Sequence, residues 1–183
     1  MKILIVSDSH YDNETLENVT KRYKDKVDMM IHCGDSSLPI NDPLLKDYLV
    51  VKGNHDDANF PFEIVKDHIF ITHGQKYGVY YGYEALIEAC KKHHCSFCFH
   101  GHTHVPTHQI IDGIHFINPG SLMINRGSYA YGTFALANIE NQEIDVHFYH
   151  HTQYYQCDDV VLNEGLETLE EFKMLLKDIK KDD

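Results

Sequence analysis

The chain has 183 residues, 43% of them hydrophobic, and 28 acidic against 16 basic side chains give a formal net charge of −12. That length predicts one domain, since domains run to about 100–200 residues, and the apolar content excludes a disordered chain. The acidic balance and the lack of a basic stripe exclude a groove for long nucleic acid, and no apolar run approaches the ~18 residues that would cross a bilayer.

Residues 3–6 form a continuous apolar run ended by Ser7-Asp8, the pattern of a strand buried on both faces. The run is too short for a signal peptide, which needs roughly 7–15 apolar residues, so a cytoplasmic protein is expected. Residues 13–24 carry Leu16, Val19 and Tyr23 at helical spacing, with Asn13 as the expected N-cap. A second strand is expected over 27–33, ended by Gly34-Asp35, and a third over 48–51, ended by Gly53-Asn54. Strand, helix, strand in that order predicts a right-handed crossover and a parallel sheet.

Residues 62–65 and 68–72 read as a hairpin whose second arm ends at His73-Gly74. A helix is expected over 83–93 and a strand over 96–99, ended by His100-Gly101-His102. The texture then changes. Residues 108–111 and 114–117 flank Asp112-Gly113, a strong two-residue hairpin signal. A second hairpin joins 131–139 to 143–149 through residues 140–142. A last amphipathic helix is expected over about 165–180, with Leu166, Leu169, Phe172, Leu175, Leu176 and Ile179 on one face and Lys177, Lys180 and Lys181 at the end where the helix dipole favours cations. The expected layout is a core of about 1–150 followed by this helix. The five cysteines are odd in number and lack a second pair to complete a zinc site with Cys95 and Cys98, so buried thiols are expected.

Asp8, His10, Asp35, Asn54, His73, His102 and His104 fall just past expected strand ends, most of them beside a glycine. Strand ends are where open α/β sheets place their ligands. Short Asp, Asn and His side chains on such loops are the donors that hold divalent ions stiffly, and nitrogen and oxygen donors without thiolate suit Mn²⁺, Fe²⁺, Ni²⁺ or Zn²⁺. Asp8-Ser9-His10, Gly34-Asp35, Gly53-Asn54-His55-Asp56, His73 and Gly101-His102-Thr103-His104 together resemble the motif set of the calcineurin-like metallophosphoesterases, over about residues 1–150. In length and order the chain is similar to their small prokaryotic phosphodiesterases. Asn118-Pro119-Gly120-Ser121, followed by Arg126, resembles that subgroup too.

The resemblance implies an α/β fold, a four-layer α-β-β-α sandwich of two mixed sheets. It implies one metal ion on Asp8, His10, Asp35 and His104 and a second on Asp35, Asn54, His73 and His102, with Asp35 bridging and Mn²⁺ the usual activator. It implies phosphodiester hydrolysis by a hydroxide shared between the two ions, with His55 donating a proton to the leaving oxygen or stabilising the transition state. Asn118 and Arg126 are then expected at the substrate. Asp56 either orients a histidine or closes a turn. The tyrosines 77, 80, 81 and 83 either stack a base or aryl group or form a buried or interfacial cluster, with the latter favoured. A small phosphoester is the expected partner, with no membrane and no long nucleic acid, and a homo-oligomer is left open. Two rival readings are a non-catalytic metal-binding scaffold of the same fold, such as the retromer subunit that shares it, and a nuclease on short oligonucleotides.

Overall fold

The computed structural model describes residues 1–179, with side chains through residue 176. The expected roles of Lys177, Ile179, Lys180 and Lys181 therefore fall on side chains outside the described residues. Fifteen elements follow in order: β1 (Lys2–Val6), α1 (Asn13–Tyr23), β2 (Met29–His32), a short 3-10 turn (Pro43–Leu45), β3 (Leu49–Val50), β4 (Glu63–Lys66), β5 (Ile69–Thr72), a second 3-10 turn (Gln75–Tyr77), α2 (Glu84–Lys92), β6 (Phe97–Phe99), β7 (Thr107–Ile111), β8 (Ile114–Asn118), β9 (Thr133–Glu140), β10 (Glu143–His150) and α3 (Asp158–Ile179).

The strands form two sheets of five, in the orders β10-β9-β1-β2-β3 and β4-β5-β6-β8-β7. In the first, β1 runs parallel to β2 and β2 to β3, while β9 and β10 are antiparallel additions. In the second, β5, β6 and β8 are parallel, and β4 and β7 close the edges antiparallel. Both sheets are mixed, as expected. Alternation along each strand builds the layers, because successive side chains point to opposite faces. Ile3 and Ile5 face a core shared with Ile31, Ile71, Phe99 and Phe148. Leu4 and Val6 face Leu16 and Val19 of α1. On the far side of the second sheet Phe70, Cys98 and Phe116 meet Leu86 and Cys90 of α2. The result is the four-layer sandwich. All five cysteines are buried free thiols.

Three boundaries depart from expectation, each for a local reason. The N-cap of α1 is Asp12, not Asn13: the Asp12 carboxylate accepts from the Thr15 amide at 3.1 Å. The β9–β10 turn has two residues, not three, because Asn141 (φ 51°) and Gln142 (φ 66°) both take the left-handed conformation of a tight hairpin turn. Helix α3 begins at Asp158, seven residues before the expected start. Gly165 sits inside the helix because a Cβ there would come within 2.3 Å of the Pro106 carbonyl oxygen. This glycine marks close approach of backbones rather than a helix boundary.

Candidate metal centre

The seven ligand candidates converge at the carboxyl ends of β1, β2, β3, β5 and β6. His104 Nε2 lies 3.1 Å from Asp8 Oδ1, and His10 Nε2 lies 3.5 Å from His104 Nε2. His73 Nε2 lies 3.3 Å from Asp35 Oδ2, 3.8 Å from Asp8 Oδ1 and 3.2 Å from Asn54 Oδ1. The His102 ring stands 5.0 Å from that of His73. Two groups have donor atoms within 4.8 Å of one another: Asp8 with His10 and His104, and Asp8 with Asp35 and His73. Asp8 thus belongs to both groups, whereas the resemblance gives the shared place to Asp35.

Backbone strain concentrates here. Asp8 (φ 50°), His10 (φ 47°), Asp35 (φ 56°), His102 (φ 70°) and His104 (φ 57°) are all left-handed. Such conformations cost of order 1–3 kcal/mol per non-glycine residue and persist where the surroundings over-determine them. The surroundings are visible. Asp8 N donates to the Gly34 carbonyl and His10 N to the Asp35 carbonyl, both at 2.9 Å, tying the two loops together. Gly53 and Gly101 allow backbone to pass against the carboxylates. A Cβ on Gly53 would lie 1.9 Å from Asp35 Oδ1, and one on Gly101 would lie 2.6 Å from Asp8 Oδ2 and 1.9 Å from Ser7 Oγ.

Charges are balanced inside the cluster. Burial works to raise the Asp8 carboxyl, but the imidazoles of His73 and His104 outweigh it and hold Asp8 well below the usual carboxylate range. Burial likewise opposes ionisation of Asp35, and the hydrogen bond from His73 overcomes it. For His73, burial favours the neutral ring, and the carboxylates of Asp8 and Asp35 reverse that and raise it. Burial pushes His10 down and His102 down to about 4, so both present neutral rings, the form that binds a cation. His73 Nδ1 lies 2.7 Å from the Cys33 carbonyl, so that nitrogen carries the proton and Nε2 is directed at the cluster.

The remaining predicted residues divide. Asp56 is buried and accepts from the amides of Asp35 (2.8 Å), Ser37 (2.8 Å) and Gly53 (2.9 Å) and from Ser36 Oγ (3.2 Å). It closes and joins two ligand loops and, among the described residues, makes no hydrogen bond to a histidine. Asn118 corrects an expectation. It is fully buried, donating to the Gly101 carbonyl and Thr103 Oγ1 and accepting from Gly120 N, each at 2.9 Å. With its amide engaged inside the fold, it props the loop of His102 and His104 from behind instead of meeting substrate. His55 is exposed on the other side. Its amide donates to Asp35 Oδ1 at 2.7 Å, and its ring meets that of His10 edge-on, with centroids 5.6 Å apart.

Arg126 lies beside the cluster. Its amide donates to the His104 carbonyl at 2.8 Å. Its guanidinium stands 4.8 Å from the Phe172 ring and 5.5 Å from the Tyr80 ring, and Tyr80 donates to the His102 carbonyl at 3.1 Å. Of the four tyrosines, Tyr80 stands against a ligand candidate. Tyr83 stacks on Phe116 in the core, and Tyr77 hydrogen-bonds Glu63. Several supporting side chains escape sequence reading, two of them because their partners are distant. Ser7 Oγ donates to Asp8 Oδ2 at 2.6 Å, Ser121 Oγ donates to the Asp8 carbonyl at 2.8 Å, and Ser9 Oγ pairs with His32 Nε2 at 2.9 Å.

The family model described as "Calcineurin-like phosphoesterase superfamily domain" matches residues 1–142. The chain belongs to that superfamily. Membership makes it a phosphoesterase, a hydrolase of phosphoric esters, and implies divalent metal ions. It is 38% identical over 161 residues to the probable metallophosphoesterase YsnB of Bacillus subtilis, across 81% of this chain and 90% of the relative. A conserved uncharacterized protein of Streptococcus pneumoniae, a predicted phosphoesterase, superposes with a TM-score of 0.79 at 32% identity, covering 84% of this chain and 92% of that one. Vps29 of Entamoeba histolytica shares the fold, with a TM-score of 0.62 at 20% identity over 84% of this chain and 94% of its own. Among the described residues no helix is long and apolar enough to cross a membrane.

Proposed function

We propose that this phosphoesterase hydrolyses phosphodiesters at a dinuclear centre. Asp8, His10, Asp35 and His104 would hold one divalent ion, and Asp35, Asn54, His73 and His102 the other. The observation that carries this reading is Asp8 Oδ1. It is buried and, among the described residues, accepts no hydrogen bond of good geometry, although the Nε2 atoms of His104 and His73 stand 3.1 and 3.8 Å from it. A carboxylate oxygen and two imidazole nitrogens directed at one point are the donors a cation takes. The donors are nitrogen and oxygen without thiolate, a set that takes Mn²⁺. Two such ions activate water as the nucleophile and neutralise charge on the phosphoryl oxygens.

The chain supplies the rest. His55, anchored by its amide to Asp35, keeps an exposed imidazole free of hydrogen bonds among the described residues, so it is available to give a proton to the leaving oxygen. Arg126 makes no ion pair among the described residues; its guanidinium lies against the rings of Phe172 and Tyr80, with a hydrogen bond to Tyr80, and a five-donor fork has N–H groups to spare for an anion. A diester carries one negative charge, which one guanidinium beside the centre matches.

The test is turnover of bis(p-nitrophenyl) phosphate by protein loaded with Mn²⁺, before and after chelation. Chelation is expected to abolish turnover. His55→Ala is expected to keep its metal content and lose about 10²–10⁴-fold in kcat. Turnover by metal-free protein would refute the dinuclear reading, and no turnover with any divalent metal would favour a scaffold.

A further inference from the structure

We infer that the cleft beside His55 is a subsite for the leaving group, selective for an uncharged aryl or alkyl alcohol over an anionic one. The inference rests on the proposed phosphodiesterase reading. A cleft of about 530 Å³ is lined by His55 together with Tyr11, Leu38, Pro39, Ile40 and Asp57. Its walls come from three ligand loops: Tyr11 follows His10, residues 38–40 follow Asp35, and Asp57 follows Asn54 by three positions.

Position supplies the first argument. In an in-line displacement the leaving oxygen departs opposite the nucleophile, and a donor to that oxygen must stand within hydrogen-bond reach of it. If His55 is that donor, whatever the leaving oxygen carries extends past the His55 ring into the space that ring lines. Surface chemistry supplies the second. Tyr11 is 80% exposed and Ile40 51% exposed. Both line the cleft and give it apolar surface that an aromatic or aliphatic group can cover. Charge supplies the third. Among the described residues no lysine or arginine lines the cleft, and the carboxylate of Asp57 is its one anionic side chain at neutral pH. A leaving group bearing a further phosphate or carboxylate meets no cation there and one like charge. An aromatic or aliphatic group meets Tyr11, Pro39 and Ile40.

The experiment uses the full chain loaded with Mn²⁺ and two methyl aryl phosphates of matched leaving-group acidity, one bearing a neutral nitrophenyl group and the other the same ring with a carboxylate remote from the ester oxygen. The wild-type protein is expected to favour the neutral ester by about tenfold in kcat/KM. Tyr11→Ala and Ile40→Ser are each expected to reduce that preference several-fold, Tyr11→Phe to retain it, and Ile40→Lys to shift it toward the carboxylate. Both positions of change are on the surface, and unchanged melting curves confirm folding. Equal kcat/KM for the two esters in the wild type would overturn the subsite, as would variants that slow both esters equally. Sedimentation showing a dimer that Tyr11→Ala or Ile40→Ser dissociates would assign the rim to a second copy instead. If no ester turns over with any divalent metal, the phosphodiesterase reading fails and the subsite with it. Turnover without discrimination removes only the subsite.

Discussion

On one flank of the ligand cluster Arg126 lies against the paired rings of Phe172 and Tyr80, on the other Tyr11 and Ile40 project into water beside His55. The His55 flank is built from residues adjacent in sequence to the ligands, so it is carried by the same loops. The Arg126 flank draws on residues 80, 126 and 172, which only tertiary packing brings together. The contrast teaches that one side of such a site comes with its ligands, while the other depends on how the whole chain packs.

The largest effect is expected where both flanks meet. Gly53→Ala would drive a methyl group into Asp35 Oδ1. It should lower metal content and cost about 10²-fold or more in kcat/KM on every ester, whatever its leaving group. A loss confined to one leaving group would show the flanks to be separable at the centre itself. Arg126→Ala isolates one flank. Removing charged hydrogen bonds to the phosphoryl group costs about 1.5–3 kcal/mol, so KM should rise about 10- to 100-fold with kcat changed less, equally for neutral and carboxylated leaving groups. Phe172→Ala should raise KM only about two- to fivefold, since an exposed cation–π contact contributes about 0.5–1 kcal/mol. That increment should vanish in the Arg126→Ala background. Additive losses would show that Phe172 does not act through Arg126.

The smallest effect concerns how α3 is anchored. His147 Nδ1 lies 2.7 Å from Asp158 Oδ2 at the start of α3, and Nε2 lies 3.3 Å from Asp145 Oδ2. The hydrogen bond to Asp158 raises the His147 value above its ordinary 6.5, against the opposing pull of burial and with the help of Asp145. A raised folded-state value means the contribution to stability is fully present below about pH 6.5 and is lost as pH climbs through the folded value. The Tm difference between wild type and His147→Gln should therefore be larger at pH 6 than at pH 9. Because His147 is substantially exposed, the shift should be small and should shrink with salt. A Tm difference independent of pH would remove the ionic role.

The same contrast explains what was legible in the sequence. The ligand candidates could be read because each follows a buried apolar run and most stand beside a glycine, and strand ends in α/β folds are where such side chains gather. The two sheets were legible for a related reason: alternation on β1 divides Ile3 and Ile5 from Leu4 and Val6 between two cores. Asn118 was misplaced because a motif gives proximity, not direction. Its neighbourhood was right, but its amide faces the fold. Asp56 left two roles open because three of its four donors, at residues 35–37, lie in a loop about twenty positions earlier. Phe172 was legible only as part of an apolar stripe, because helical periodicity identifies the buried face but not what it covers. Gly165 shows the converse: a close approach to the Pro106 carbonyl imitates a boundary.

Residue 172 lies 68 positions beyond His104, the last of the proposed ligands. A ribosome therefore releases every donor well before it releases the ring that steadies Arg126. On the roles proposed above, the metal side of the site is complete in sequence long before its ester side, and the last helix of the chain serves the second.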